Sequence, residues 1–167
     1  MSEVIKSVKE SQIEMIELVL PNDTNMLGNL LGGRLMHWID IAAALTASRH
    51  CNNIAVTAAV DNLTFNCAIH LGEIVRLKAS VNRAFRTSME IGVRVEVEDI
   101  ISGDVTHSNS AYLTFVNVEK DTFHPVSVPQ VKPASAEEKR RWEQAGQRRE
   151  QRLNEESGLM QKKVLKQ

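Results

Sequence analysis

The central segment of the chain is residues 31–50, with the sequence LGGRLMHWIDIAAALTASRH. It is rich in Leu, Ala and Met, which favour helix, and Gly32 and Gly33 stand at its start. Arg49 and His50 stand at its end, where cations interact favourably with the helix dipole. Apolar side chains cover most of the helical circumference, so we predict a helix that is buried nearly all round.

On both sides of this helix the apolar residues recur with a period of two. Residues 12–20 suggest one strand before the helix. Four runs rich in Val, Ile and Thr follow it, at 54–65, 73–85, 88–100 and 107–119. Short turns between consecutive strands favour antiparallel pairing. One long sheet and one apolar helix predict an α+β domain whose helix packs on a face of the sheet.

The length of 167 residues suggests one domain with an appendage. Three of the four prolines lie between residues 125 and 134, a density that favours an extended linker over helix or strand. We therefore divide the chain into a body over residues 1–124, a linker over 125–134 and a charged segment over 135–167.

The charged segment opens with Ser135-x-x-Glu138, which is the pattern of a capping box at the start of a helix. The residues that follow favour helix but few of them are apolar. This composition predicts a solvated or partner-bridging helix that is anchored by Trp142.

The composition argues against several classes of protein. A net charge of −1 and only 4% aromatic residues do not suit a nucleic-acid-binding protein. No apolar stretch approaches the roughly 20 residues of a membrane helix, and the charged N-terminus does not resemble a secretory signal. Cys51 and Cys67 lack a CxxC spacing and are expected to be reduced, buried thiols of a cytoplasmic protein. The five histidines are scattered without ligand spacing, so we predict no metal site.

Asp40 is the only ionised side chain expected in the middle of the predicted helix. A carboxylate there is unfavourable unless it is paired, solvated by a cleft or protonated. Desolvation raises the proton affinity of carboxylates in general, which suits a general base or a nucleophile. The alternative is that Asp40 lies on a narrow polar strip and meets solvent or a cation. His37, one turn away, is better explained as an interface histidine.

Two features before the helix could assist chemistry at Asp40. The glycine pair that ends in Gly33 would let a substrate carbonyl approach the free N–H groups of the first turn, although a tight turn into the helix is the favoured explanation of the pair taken by itself. The side-chain amide of Asn25 could donate to such a carbonyl or hold a water. Its alternative role is that of a turn residue in a loop rich in such residues.

The predicted turn between the strands at 73–85 and 88–100 is a third candidate. Two arginines and two hydroxyls, which could bind a phosphate, stand there: Arg83, Arg86, Thr87 and Ser88. The alternative is a solvated strand end.

Residues 20–40, LPNDTNMLGNLLGGRLMHWID, carry a recognisable combination of motifs. A Pro-x-Asp-x-Asn loop is followed by a Gly, a Gly-Gly pair and a helix with an acid seven residues further on. Further matches are RHC at 49–51, VTAAVDNLTF at 56–65, LGE at 71–73 and TSMEI at 87–91. Over roughly residues 12–155 the chain resembles the hotdog-fold acyl-CoA thioesterases, in the branch of bacterial YciA and the mammalian cytosolic acyl-CoA hydrolases. Leu31 departs from the pattern, since relatives usually have Phe or His there.

The resemblance implies a hotdog fold, in which a long antiparallel sheet wraps around the central helix. It also implies homodimers with a continuous sheet, assembled into trimers of dimers, and a site between subunits. Asp40 would be the catalytic carboxylate, Asn25 would come from the other subunit, and the N–H near Gly33 would polarise the thioester carbonyl. CoA would be contacted by Arg83, Arg86, Thr87 and Ser88.

The function implied by the resemblance is hydrolysis of acyl-CoA to a free acid and CoA, without a metal or organic cofactor. Asp40 would act as a general base on water or attack the carbonyl directly, and the sequence leaves both routes open. One alternative is a hotdog dehydratase, which would use a catalytic histidine such as His70. Another is a non-catalytic protein that binds acyl-CoA.

Overall fold

The computed structural model describes residues 4–61, 63–65 and 67–164, with the side chains of these residues except at 156 and 158–164. The helices are α1 (Gly32–Cys51) and α2 (Ala136–Val164). The strands are β1 (Ile5–Ser7), β2 (Ile13–Leu18), β3 (Ile54–Val60), β4 (Ile74–Ala84), β5 (Ser88–Glu98), β6 (Val105–Val118) and β7 (Gln130–Lys132). Single 3-10 turns lie at Val8–Ser11 and Pro21–Asp23.

The main sheet has five strands in the order β2-β4-β5-β6-β3, and every neighbouring pair is antiparallel. This confirms the predicted order of one strand, one helix and four strands. It also confirms the α+β class, with a curled sheet around a central helix. The predicted strand at 54–65 is too long, because β3 ends at Val60 after a β-bulge between Thr57 and Ala59.

Alternation places one face of the sheet against α1. On β4 this inner face carries Val75, Leu77, Ala79 and Val81, all buried. The opposite face, which we call the outer face, carries polar side chains from the intervening positions. The core therefore lies between the inner face and one side of α1.

The prediction that α1 is buried nearly all round is wrong for the single chain. Its buried side chains form one stripe: Leu35, Trp38, Ile39, Ala42, Ala43, Thr46, Ala47 and His50. Met36 and Leu45, on the other side, are 40% and 50% exposed. A sheet can cover only the side of a helix that faces it, so apolar surface of α1 is left uncovered.

The stretch predicted to be an extended linker contains a short strand. β7 pairs in parallel with β1, and its Val131 is buried together with Val128. A proline-rich segment can form such a strand because a two-stranded ribbon needs few backbone donors.

The helix α2 begins with the predicted capping box. The Glu138 N–H donates to Ser135 Oγ at 3.1 Å, and the Ser135 N–H donates to the Glu138 carboxylate at 3.2 Å. The helix packs across the outer face, where Ala145 is fully buried. Trp142 anchors it, as predicted, but the expectation of a solvated helix is wrong, since one of its sides covers the sheet.

The two cysteines differ from each other. Cys51 is half-buried, and burial raises the pKa of its thiol to about 11. Cys67 is exposed, so the prediction that both thiols are buried is wrong. Neither α1 nor any other helix of the described residues combines the length and the apolar character needed to cross a membrane.

Candidate active site

Asp40 lies on the uncovered side of α1, two turns from its N-terminus, and is half-buried. Its Oδ1 accepts a hydrogen bond of 2.8 Å from the Thr57 hydroxyl on β3. The hydroxyl holds one carboxylate oxygen in place and leaves Oδ2 for water or substrate. Asp40 therefore meets solvent in the single chain, although the uncovered side of α1 is not a polar strip, since it also carries Met36 and Leu45.

Thr57 is a site residue that the sequence reasoning missed. It sits at the β-bulge of β3, where the shift in register re-aims side chains. The available signal was a polar residue within the apolar run IAVTAAV of an edge strand. An exposed Thr on a strand is common, however, and only the packing of β3 against α1 brings it to Asp40.

The loop before α1 is held in place by a nearly buried aspartate. Asp23 forms an ion pair with Arg34 at 2.9 Å, and its Oδ2 accepts a bond of 3.1 Å from the Leu20 N–H. The backbone carbonyl of Asp23 accepts from the Leu31 N–H at 2.9 Å. These contacts connect the loop to the first turn of the helix, so the loop and the helix start form one unit.

Asn25 is exposed at the tip of this unit. Its side-chain oxygen accepts from the N–H groups of Leu27 at 2.9 Å and Asn29 at 3.2 Å, which is the turn role given as its alternative. These bonds orient the carboxamide, and its Nδ2 makes no hydrogen bond within the part of the chain that the structure describes. The carboxamide of Asn25 is therefore oriented by its oxygen, and its donor takes no partner in its own loop.

The two glycines at the start of α1 have different surroundings. A Cβ on Gly32 would lie 3.3 Å from the Phe65 ring, so this position is packed. A Cβ on Gly33 would meet nothing within 4 Å. The backbone at Gly33 is open to approach by a ligand, next to the N–H groups that a helix start leaves unpaired.

The structure does not bring the two halves of the expected site together in one chain. Among the described residues, no hydrogen bond joins Asn25 to Asp40. β3, which carries Thr57, is an edge strand of the sheet and exposes Ile54, Val56 and Val60. An apolar edge of this kind is a surface for strand pairing with another chain.

The turn between β4 and β5 is covered in part by α2. Arg83 stacks on the Trp142 ring, with its guanidinium carbon 3.5 Å from the ring centroid. Ser88 is buried and accepts a hydrogen bond of 3.0 Å from Arg149. Arg86 is exposed, and Thr87 is half-buried. Two of the four expected CoA contacts are therefore engaged by the C-terminal helix.

The comparisons with known proteins agree with this fold. The model of the thioesterase superfamily matches residues 27–103. The chain is 41% identical over 143 residues to acyl-coenzyme A thioesterase 11 of Mus musculus. That alignment covers 86% of this chain, which spans only about a quarter (24%) of the mouse protein.

Two solved structures are similar along nearly their whole length. The acyl-CoA hydrolase of Staphylococcus aureus, solved with butyryl coenzyme A, coenzyme A and coenzyme A disulfide, is 35% identical with a TM-score of 0.88. The match covers 98% of this chain and 99% of that one. A hexameric acyl-CoA thioesterase is 39% identical with a TM-score of 0.87, over 91% of this chain and 97% of that one.

The curled sheet around α1 and the loop ahead of the helix define a hotdog protein. The chain belongs to the thioesterase superfamily, and within it to the hotdog-fold acyl-CoA thioesterases.

Three further structures of the Staphylococcus aureus hydrolase carry a single alanine in place of an Asn, an Asp or a Thr. In sequence order these positions are separated by 15 and 17 residues. The same intervals separate Asn25, Asp40 and Thr57 in this chain.

Proposed function

We propose that this protein hydrolyses acyl-CoA thioesters to a free acid and CoA, with Asp40 as the catalytic carboxylate. The observation that carries the proposal is the hydrogen bond of 2.8 Å from Thr57 to Asp40. This contact supports the correspondence of Asp40 and Thr57 to the Asp and the Thr that were substituted in the Staphylococcus aureus hydrolase. Asn25 fits the third substituted position by its spacing.

The site is completed by a second copy of the chain. Pairing of β3 with β3 of a partner would cover the exposed strand edge and the apolar side of α1 that carries Met36 and Leu45. It would also place the Asn25 loop of one subunit near Asp40 of the other. We propose homodimers of this kind, assembled as trimers of dimers in a cytoplasmic hexamer.

The chemistry follows from the donors and the acceptor at this site. The N–H near Gly33 and the Asn25 amide donate to the thioester carbonyl and stabilise the negative charge that develops on its oxygen. Asp40 either removes a proton from water, whose oxygen bonds to the carbonyl carbon, or bonds to that carbon itself. The C–S bond then breaks, and the CoA thiolate leaves and takes up a proton. In the second route this step leaves an anhydride between Asp40 and the acyl group, which water then hydrolyses to the free acid and the restored carboxylate.

The primary test is thiol release from a panel of acyl-CoA substrates, from acetyl to palmitoyl. Asp40→Asn should lower kcat at least ~10²-fold while the circular dichroism spectrum stays unchanged. Asp121→Asn, an exposed carboxylate in a distant turn, is the matched control and should keep full activity. Binding of CoA without turnover by the wild type would support the non-catalytic alternative, and hydration of an enoyl-CoA would support the dehydratase.

The two routes of Asp40 are separated by a single turnover in H2¹⁸O. Label that enters Asp40 itself would support the anhydride route, because hydrolysis of the anhydride leaves solvent oxygen on the carboxylate. Label that enters only the released acid, in a reaction with excess enzyme, shows that the solvent oxygen bonds to the acyl carbon, which the general-base route requires and an anhydride opened at its Asp40 carbonyl does not give.

A further inference from the structure

Two contacts join residues 57–65, which we call the 57–65 segment, to the functional groups of α1. At its beginning, the Thr57 hydroxyl donates to Asp40 at 2.8 Å. At its end, the Phe65 ring lies against Gly32, 3.3 Å from where a Cβ would stand. The backbone of Gly33, with its open N–H groups, follows directly in the chain. The position of the 57–65 segment therefore affects both the carboxylate and the donors of the proposed site.

Asp61 lies in the middle of the 57–65 segment, directly after β3. Its N–H donates to the Tyr112 carbonyl at 2.9 Å, which extends the contact of β3 with β6 by one residue. Its carboxylate Oδ1 accepts a hydrogen bond of 3.0 Å from Arg152 of α2, and the two side chains form an ion pair. Arg152 thus connects the C-terminal helix to the 57–65 segment.

This ion pair is largely shielded from water. The side chains of Arg152 and Asp61 are only 19% and 22% exposed. The second carboxylate oxygen of Asp61, Oδ2, is buried and accepts no hydrogen bond from the described residues. Arg152 is therefore the one partner that the described residues give to this charge. Without Arg152, the carboxylate is left partly buried and uncompensated, unless the segment shifts and lets water reach it.

A second anchor limits how far the segment can shift. The buried side chain of Asn109 donates to the Thr64 carbonyl, and Leu63 packs against the core. These contacts do not involve α2, so they remain when Arg152 is replaced. We therefore expect loss of Arg152 to displace the segment without unfolding it. Displacements of about 1 Å around a reacting centre can cost ~10²-fold in rate.

We propose that Arg152 is a positioning residue for the hydrolysis, which holds the 57–65 segment against α1 through Asp61 and does not itself touch the substrate. The inference rests on the proposed function. It links two helices that lie on opposite faces of the sheet, since α2 covers the outer face and α1 the inner face. Full turnover then depends on an ion pair outside the site.

The first test measures kcat and KM for one acyl-CoA in Arg152→Met, together with the Kd of CoA. Since the variant leaves Asp61 without its cation, kcat should fall about tenfold, whereas KM and Kd should stay within about twofold of the wild type. Arg152→Lys keeps a cation on a flexible stem and should recover most of kcat. A residue that binds the substrate would change KM and Kd instead.

Replacing Asp61 as well separates positioning from a general loss of stability. In Asp61→Asn/Arg152→Met no charge is left unpaired, so kcat should return to within about threefold of the wild type. An ion pair that only stabilised the fold would lower Tm in Arg152→Met and leave kcat unchanged at temperatures well below Tm.

Hydrogen exchange followed by mass spectrometry observes the segment without any substrate. Peptides that cover residues 54–65 should exchange faster in Arg152→Met and return toward the wild type in the double variant, because the restraint at Asp61 is lost in the first and its cause removed in the second. Arg141→Met is the matched control, an arginine of the same helix that pairs with the exposed Glu137. It should change neither this exchange nor kcat.

Three results would overturn the proposal: an unchanged kcat in Arg152→Met, a rise in KM or Kd as large as the fall in kcat, or a double variant no faster than Arg152→Met. If the wild type releases no thiol from any acyl-CoA, the proposed function fails by a separate observation. The exchange experiment then still tests whether Arg152 holds the segment, and equal exchange over residues 54–65 in wild type and Arg152→Met would refute it.

Discussion

Glu90 on β5 is the least exposed carboxylate among the ion pairs of the described residues, with 3% of its side chain accessible. Arg148 binds it in a bidentate manner, through Nη2 at 2.6 Å and Nε at 3.0 Å, and Asn82 donates a third bond at 2.9 Å. The Arg148 guanidinium also stacks on Tyr112, 3.7 Å from the ring centroid. This cluster fastens the middle of α2 to the outer face of the sheet.

Replacing Arg148 with Met keeps most of the apolar contact with Tyr112 but removes both bonds to Glu90. The carboxylate is then buried with Asn82 as its remaining partner. Breaking a buried pair from one side costs about 3–5 kcal/mol, since it leaves an uncompensated charge. For a chain of this size each kcal/mol lowers Tm by about 2–4 °C, so we expect a decrease of roughly 10 °C.

The double variant Glu90→Gln/Arg148→Met should recover much of this loss, because no charge is then buried. The coupling energy of the cycle should exceed about 2 kcal/mol. Urea unfolding followed by circular dichroism measures it, at one fixed protein concentration since subunit assembly contributes to stability. Arg141→Met is the control, because its partner Glu137 is 61% exposed and such pairs contribute about 0–1 kcal/mol. A loss below 1 kcal/mol for Arg148→Met, or no coupling in the cycle, would refute the reasoning.

Three further changes test other parts of the structure. Burial lowers the pKa of His50 in the folded protein. Below about pH 6.5 the unfolded chain therefore binds more protons at this histidine than the folded protein does, and Tm should fall between pH 7 and pH 5. His50→Gln should flatten this dependence in thermal scans, and equal slopes would contradict the assignment. Gly146→Ala should raise Tm by less than its better helix propensity alone would give, because the methyl group pushes aside the flexible end of the Arg83 side chain; a gain of the full ~0.5–1 kcal/mol would show that the helix has room for it. Thr57→Val removes the hydrogen bond that holds the Asp40 carboxylate and should reduce kcat about tenfold, whereas Thr57→Ser keeps the hydroxyl and should recover it. An unchanged kcat in Thr57→Val would mean that the hydrogen bond is only structural.

The secondary structure of the body could be predicted from the sequence because it depends on near neighbours. Alternation with a period of two predicted strands at 73–85 and 88–100, and β4 and β5 lie within these bounds. Helix formers and terminal cations predicted α1 to within one residue at each end. The resemblance carried by residues 20–40 identified the family, as the comparisons confirm.

The site depended on contacts between residues that are far apart in the chain. Thr57 reaches Asp40 only because β3 packs beside α1, and the bulge that aims it has no signature in the alternation. Burial of α1 was overestimated because the pattern shows which residues are apolar but not which side a sheet covers.

The sequence by itself determined the central helix, the five strands of the main sheet, the capping box at Ser135 and the family, since each depends on residue types within a few positions of one another. It did not predict the short ribbon of β1 and β7. The tertiary structure alone decided the path of α2 across the outer face. That path brings together Arg83 and Trp142, which are 59 positions apart in the chain, and Glu90 and Arg148, which are 58 positions apart. Such pairings depend on how a finished sheet curves beneath the helix, and no local pattern in the chain encodes that shape.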